Sequence, residues 1–526
     1  MNEATSGTWR LDLPDRYNLV DHFVDRHVRE GRGQKTAIVS DGATLSYAAV
    51  AEQVNRLGNG LLQLGVAEEQ RVLLLLPDSP EFVIAYFGTI KIGAVAVPTS
   101  TALRAADYAH FLVESRARVL IVHSSLYPEV LPALEGQRYL RNVVVCGEPV
   151  DGCIQWDSWM PSCFAELDAA PTSKDDAAFW LWTSGSTGPP KAAMHLHSDW
   201  AYCSESYARG VLEMDSNDIT FSSSKLFHAY GLGNALMFPF HVGATTILYR
   251  GRPQAKIILE TVQTLRPTLF FSVPTLYAAI LQETDRTQYD FSSVRLAVSA
   301  AEPLPADIFR RMKDRFGFEI LDGIGSTEVL HIYLSARRGH VRPGSTGQAV
   351  RGYDMRILDS EGRPAVPGSI GDLLVKGAST AQCYWNRRQL SSERMRGEWF
   401  FTGDKYWMDE DGYYWYAGRA DDMFRVSGQW VSPNEVESAL IEHSSVLEAA
   451  VIPYEEEAKV HTPKAFVVLK KGVAADPALV KELQEFVKQR ITPYKYPRRI
   501  EFLPDLPKSA AGKILRYKLR ESERGS

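Results

Sequence analysis

Residues 71–98 read RVLLLLPDSPEFVIAYFGTIKIGAVAVP. The first seven, RVLLLLP (71–77), form a short, continuously apolar run, the pattern of a strand whose two faces are both covered. A helical stretch follows from Glu81 and leads into AVAVP (94–98), again apolar throughout. Strand, helix and strand in close succession make up the unit of a largely parallel sheet.

The same texture extends on both sides. Upstream, Val50, Val54, Leu57, Leu61 and Leu64 recur at the three-and-four spacing of an amphipathic helix over 46–64. Downstream, VLIVH (119–123), NVVVCG (142–147), TTILYR (245–250), PTLFFSVP (267–274) and VRLAVSA (294–300) read as further buried strands. After about residue 345 strands shorten and turns multiply, as in MRILDSEGRPAVPGSIGDLLVKG (355–377), which predicts a small β-rich subdomain. EAAVIPY (448–454), KAFVVLK (464–470) and the helix-like PALVKELQEFVKQRI (477–491) predict a compact α+β unit at the C-terminus. The fold class is α/β: a large N-terminal domain of layered α/β subdomains plus a β-rich subdomain, then a small α+β domain.

A chain of 526 residues exceeds one ordinary core. Its 58 basic and 64 acidic residues give a net charge of −6, which argues against a nucleic-acid partner. No apolar run approaches the ~20 residues that span a bilayer, and the N-terminus lacks the basic-then-apolar pattern of a leader. The five cysteines are odd in number and lack metal-ligand spacing, so free thiols in a cytoplasmic protein are expected.

Chemistry concentrates in a few loops. TSGSTGPPK (183–191) offers flexible backbone and many donors, open to two readings, a surface linker or an anion cradle. It is not the P-loop of kinases and GTPases, because Pro189 and Pro190 remove two backbone donors after Gly188. GIGSTE (323–328) ends in Glu328, either a solvated turn residue or an oxygen ligand for Mg²⁺. FFTGD (400–404) presents Asp404 as a cap residue or an acceptor for paired hydroxyls. GRADDMFRVSGQWVSPNEVE (418–437) gathers Arg419, two aspartates and a glycine-bearing strand, and PKSAAGK (507–513) carries Lys513 on a loop.

In this order the five motifs resemble the adenylate-forming (AMP-binding) superfamily of acyl-CoA ligases, luciferases and peptide-synthetase adenylation domains. The likeness runs from ATLSYAAVAEQVNRLGNGL (43–61) through PKSAAGK. It implies that a carboxylate attacks the α-phosphorus of ATP, and that a thiol, usually of CoA, then displaces AMP. Thr183, Ser184, Gly185, Ser186, Thr187, Gly188 and Lys191 would hold the β/γ-phosphates, with Mg²⁺ on Glu328 beside Thr327. Lys513 would bridge the substrate carboxylate and the α-phosphate. Asp404 and Arg419 would hold the ribose, while Ala300, Ala301, Glu302, Pro303, Asp322 and Gly323 would frame the adenine. Ile324 stands where the family usually has a base-stacking Tyr, so altered ATP affinity is expected.

The resemblance also implies a division into 1–420 and a mobile 421–526, hinged at Asp421, with Ser427, Gly428 and Trp430 along the CoA arm. His228, Ala229, Tyr230, Gly325, His331 and Ile332 would surround the acyl group. FHAYGLGN (227–234) and STEVLHIYLS (326–335) resemble benzoate–CoA ligases, implying a small aryl carboxylate as substrate. Other aryl or medium-chain acids, a carrier-protein acceptor, or a non-catalytic nucleotide sensor are the alternatives. A lysine acetyltransferase and deacetylase acting on Lys513 would be further partners, on a monomer or homodimer.

Overall fold

The computed structural model describes residue 9 and residues 11–183, 190–283, 289–420, 422–426, 429–455, 461–508 and 514–524. The segment 71–98 folds as the strand Arg71–Leu75, the helix Pro80–Lys91 and the strand Val95–Pro98. The two strands run parallel, Arg71 beside Val95 and Leu74 beside Pro98. Ser79 starts the helix: its hydroxyl accepts from the Phe82 N–H at 3.4 Å, and Pro80 occupies the first turn, where no amide hydrogen is required. Side chains of Arg71–Leu75 alternate between two cores. Val72 and Leu74 enter a central core with Phe82 and Tyr86, whereas Leu73 and Leu75 meet Tyr108 and Phe111 on the opposite face. Double burial is why the run is apolar without alternation.

Among the described residues this sheet has eight strands, in the order Cys383–Tyr384, Lys191–Leu196, Ala177–Thr183, Val95–Pro98, Arg71–Leu75, Val119–His123, Asn142–Cys146 and Ile154–Gln155. A nine-stranded sheet runs Gln348–Ala349, Ile332–Ser335, Ile320–Gly325, Leu296–Ser299, Leu269–Ser272, Ile219–Ser222, Thr245–Leu248, Thr36–Ser40 and Ala43–Ser46. Both are parallel in their middles and antiparallel at an edge. The helices Tyr47–Gln63 and Pro80–Lys91 and the helical stretch 197–242 share the central core with the inner faces of both sheets. Ala255–Leu265, Pro274–Gln282 and Ala306–Phe316 cover the outer face of the larger sheet, and Ala105–Ser115 and Tyr127–Leu134 that of the smaller.

The β-rich texture after residue 345 is an antiparallel sheet of Asp354–Leu358, Gly371–Lys376, Trp399–Met408, Met395–Arg396 and Tyr414–Arg419. The C-terminal unit has a core of its own, built from residues such as Val436, Leu440, Val451, Val467, Leu483 and Val487. Its helix Pro477–Lys488 begins at Asp476, whose carboxylate accepts from the Leu479 N–H at 2.8 Å.

One polar group is set inside the central layer. Lys91, its side chain 2% exposed, places Nζ 2.8 Å from the Asp25 carboxylate and 2.6 Å from Asn55 Oδ1. Removing one partner of such a pair strands a buried charge at a cost of about 3–5 kcal/mol. Asp25→Ala is therefore expected to lower the apparent Tm by several degrees, and Asp25→Ala with Lys91→Met to recover most of it in scanning calorimetry.

Candidate active site

The motif residues gather at strand ends. Thr183 closes its strand and pairs with Lys191 across the hairpin; Ser184, Gly185, Ser186, Thr187 and Gly188 lie outside the described residues. The Lys191 ammonium sits 5.2 Å from the centre of the Tyr384 ring. The Tyr384 hydroxyl in turn donates to Glu328 Oε1 at 2.7 Å. Burial lowers the pKa of Lys191, and the nearby Glu328 opposes that shift. Burial and the Glu328 charge together raise the pKa of Tyr384, which keeps it a donor.

The turn Thr327–Val329 that carries Glu328 is pinned from behind. Ser326 caps it, accepting from the Val329 N–H at 3.2 Å. The Thr327 carbonyl accepts from His195 Nε2 at 2.8 Å, and His195 Nδ1 lies 2.8 Å from Asp199 Oδ2, both side chains fully buried. A carbonyl can only accept, so Nε2 carries a hydrogen and the imidazole orientation is fixed. The chain leaves this turn through Leu330 at φ 74°, a left-handed conformation that is costly for leucine. It then enters the strand Ile332–Ser335.

On the β-rich sheet, Asp404 and Arg419 face each other across adjacent strands, with Arg419 Nη1 3.0 Å from Asp404 Oδ1. Asp404 is buried, and Arg419 also donates to the Thr402 carbonyl at 3.2 Å. Gly403, between Thr402 and Asp404, has φ 79°. A Cβ there would lie 2.9 Å from Arg394 Nη1 and 3.1 Å from Arg419 Nη2, and the positive φ would strain any side chain, so glycine is favoured.

On the larger sheet Ser299 and Asp322 are register partners in adjacent parallel strands. Both are buried, and Ser299 Oγ and Asp322 Oδ1 have no partner among the described residues. Burial holds the Asp322 carboxyl well above the usual carboxylate range. Buried polar atoms are normally hydrogen-bonded, so both are available to bond a ligand or water. Next to Ser299, Ala300 is buried, Ala301 has φ 76°, and Glu302 accepts from the Ile514 N–H at 3.1 Å. Pro303 is exposed, while Gly323 and the partly exposed Ile324 continue the strand from Asp322.

His228, Ala229 and Tyr230 are partly exposed at the start of the helix Ala229–Leu232, and Tyr230 donates toward the Val298 and Ser272 carbonyls at 3.1 and 3.2 Å. His331 is 2% exposed, edge-on to Phe238 at 4.5 Å, with Tyr207 and Tyr230 rings beyond. Burial pushes its pKa down to about 3, so the ring is neutral. Ile332 is buried beside it, and Gly325 pairs with Ile332 across the strands. The His331 ring fills the space where Gly233 lacks a side chain.

Asp421, Ser427, Gly428 and Lys513 lie outside the described residues. Trp430 belongs to the strand Gln429–Val431. The described residue after Lys513 is Ile514, which bridges back to Lys508 and donates its N–H to Glu302, three residues on from Ser299. Sequence reasoning missed Tyr384, the His195–Asp199 pair and Arg394. Their partners are distant in sequence, and nothing in their local pattern signals them.

The AMP-binding enzyme family matches residues 24–385, and its C-terminal domain matches residues 435–513. The chain belongs to the AMP-binding enzyme family. Among curated members it is 44% identical to benzoate–CoA ligase of Thauera aromatica, covering 97% of both chains. It is 43% identical to 4-hydroxybenzoate–CoA/benzoate–CoA ligase of Rhodopseudomonas palustris, covering 97% of this chain and 95% of that one. Among solved AMP-binding enzymes, the anthranilate CoA ligase AuaEII in complex with anthranoyl-AMP superposes with a TM-score of 0.95 at 40% identity, covering 98% of each chain. A benzoate CoA ligase from Burkholderia xenovorans LB400 gives 0.89 at 41%, covering 96% of this chain and 100% of that one.

The Gly233–His331 contact makes a prediction. Gly233→Ala drives a methyl group into the His331 ring, and overpacking of this kind costs about 1–3 kcal/mol. A lower apparent Tm is expected for Gly233→Ala, and a smaller penalty for the same change in a His331→Ala background, giving a positive coupling in the double-mutant cycle.

Proposed function

We propose that this protein is an AMP-forming aryl-CoA ligase, converting benzoate, ATP and CoA to benzoyl-CoA, AMP and pyrophosphate through benzoyl-adenylate. The observation that carries the reading is the meeting of Ile514, the neighbour of Lys513, with Glu302 beside the orphaned Ser299 and Asp322. It sets Ile514 against the segment that follows Ser299 in a chain whose relatives, matched over 95–97% of their length, are named for this reaction.

In the first step a benzoate oxygen attacks the α-phosphorus and the α–β phosphoanhydride bond breaks, releasing pyrophosphate. Two anions must be brought together, so cations and aligned donors carry the catalysis. Lys513 would bridge the carboxylate and α-phosphate, and Thr183 to Lys191 would hold the departing phosphates. Thr327 and Glu328 would face them from the pinned turn. Asp404 would accept the ribose hydroxyls, fixed by Arg419. Asp322 and Ser299 would bond the adenine edge over Ala300–Pro303 and Gly323, with Ile324 covering the base by apolar contact. In the second step the CoA thiol adds to the acyl carbonyl and AMP leaves.

Among the described residues no group of three His, Cys, Asp or Glu encloses a metal. A single carboxylate at Glu328, steadied by Tyr384, fits Mg²⁺ held mainly by phosphate oxygens and water. When bound, Mg²⁺ neutralises polyphosphate charge. We assign residues 1–420 and 421–526 to the two domains, with Asp421 as hinge and Ser427, Gly428 and Trp430 along the pantetheine path. No helix among the described residues is long and apolar enough to cross a membrane, and we place the reaction in the cytoplasm. Acetylation of Lys513 would remove its charge and silence adenylation.

Lys513→Ala is expected to abolish acid-dependent pyrophosphate release while sparing thioester formation from supplied benzoyl-adenylate. Equal loss of both half-reactions in single-turnover assays would refute the division of labour. The pocket makes a second test. His331, Tyr230, Ile332, Gly325, His228 and Ala229 would close around one ring, so bulk at the 4-position meets overpacking of about 1–3 kcal/mol. The kcat/KM ratio of 4-methylbenzoate to benzoate is expected to rise about tenfold or more in His331→Ala; an unchanged ratio would place His331 outside the acyl pocket.

A further inference from the structure

Arg394 is a strongly basic side chain near these groups that neither the motifs nor the mechanism uses. It closes the helix Arg388–Arg394, just before the β-rich strands that carry Asp404 and Arg419. Its side chain is half-buried, and its one hydrogen bond among the described residues is a long one, 3.4 Å from Nη1 to the Phe401 carbonyl. No carboxylate among the described residues pairs with it, although Asp404 pairs with Arg419 and Glu328 accepts from Tyr384 nearby.

Its position is cationic from several sides. Arg394 Nη1 and Arg419 Nη2 converge on the same point above Gly403, at 2.9 and 3.1 Å from where a Cβ would stand. Both guanidiniums add to the depression of the Lys191 pKa that burial begins, Arg394 more than Arg419, and both oppose the rise in that of Tyr384. Arg394 thus meets Arg419 over Gly403 and is within electrostatic reach of Lys191 and Tyr384. Like charges at this spacing repel, and a half-buried guanidinium with four or five unspent N–H donors is poorly satisfied. A planar, permanently charged fork is well matched to phosphate oxygens, which it takes two at a time. With no Cβ at the left-handed Gly403, both forks lie against the same stretch of backbone.

We propose that Arg394 is a further nucleotide-binding residue that contacts the β/γ-phosphates of ATP and the pyrophosphate formed from them. The assignment rests on the proposed placing of the phosphates beside Lys191. It makes Arg394 a bridge between the ribose-holding sheet and the phosphate-holding hairpin, which otherwise belong to different sheets. The contact is lost when pyrophosphate leaves, so it distinguishes ATP from AMP.

The test compares Arg394→Ala, Arg394→Gln and Arg394→Lys in the full chain. Each is assayed for KM of ATP, inhibition by inorganic pyrophosphate and inhibition by AMP, with circular dichroism and apparent Tm as folding controls. Arg394→Ala is expected to raise KM for ATP and the inhibition constant of pyrophosphate together by roughly ten- to hundredfold. AMP inhibition and KM for benzoate should stay within about twofold, and Arg394→Lys should restore part of the loss through its charge. If Arg394→Ala folds poorly, Arg394→Gln, which keeps a donor for the Phe401 carbonyl, must show the same split. Unchanged ATP and pyrophosphate constants would overturn the proposal, as would a parallel loss of AMP affinity, which would place Arg394 at the ribose. Absence of benzoate-dependent turnover in the parent would instead refute the ligase reading, since pyrophosphate and AMP binding can be measured without the acid.

Discussion

Burial of both faces of the two large sheets is the constraint on which the site depends. Strand interiors such as Leu73–Leu75 and Leu269–Phe271 are wrapped by helices on either side, so an unpaired polar group there would be costly. Polar chemistry is displaced to the carboxyl ends of strands, where ligands of open α/β sheets bind. Thr183, Ser299 and Gly325 each end a strand, and the loops that follow carry the hydroxyls, Glu302 and Glu328. The edge reversal from parallel to antiparallel at Ile320–Gly325 and Ile332–Ser335 adds a further consequence. It turns the chain back so that one short connection carries both Glu328, bonded by Tyr384, and His331, edge-on to Phe238 in the aromatic core.

Rigidity at that connection comes from groups with no chemical part. The buried His195–Asp199 pair fixes the Thr327 carbonyl, the Ala381 N–H fixes the Glu328 carbonyl at 2.7 Å, and Tyr384 fixes the carboxylate itself. The left-handed Leu330 is strained, and it persists because these bonds and the surrounding core over-determine it. The Glu328 carboxylate accepts from Tyr384, whose ring lies against the Lys191 ammonium. Groups fixed in this way before any ligand arrives are the basis of electrostatic preorganisation.

The large-scale fold was legible because its causes are local. Double burial writes unbroken apolar runs, and Ser46, Ser79 and Asp476 mark the helix starts they cap. The motif positions were legible too, since Gly, Ser and acidic residues cluster at the strand ends. What escaped were contacts made only by the fold. Tyr384 and Glu328 are 56 residues apart, and His195 and Thr327 are 132 apart. Arg394 sits in RRQLSSERMRGEW, where charge alone reads as a solvated helix end. Ile324 shows the reverse case: the departure was visible in sequence, and the structure places it partly exposed, one strand position beyond Gly323 and the orphaned Asp322.

The small C-terminal unit depends on the large one in a different way. Its core is built from residues from Phe424 onward, and charged pairs close within it, Arg516 on Glu437 at 2.6 Å and Arg520 on Asp422 at 2.6 Å. The Ile514–Glu302 bond, by contrast, is one neutral amide on one carboxylate. Hydrogen bonds to charged groups contribute about 1.5–3 kcal/mol, so a single contact of this size gives a preference that substrate binding can reverse. A unit that needed the large domain to complete its core could not let go of it. Because its core is internal, such contacts with the large unit can change without unfolding the small one.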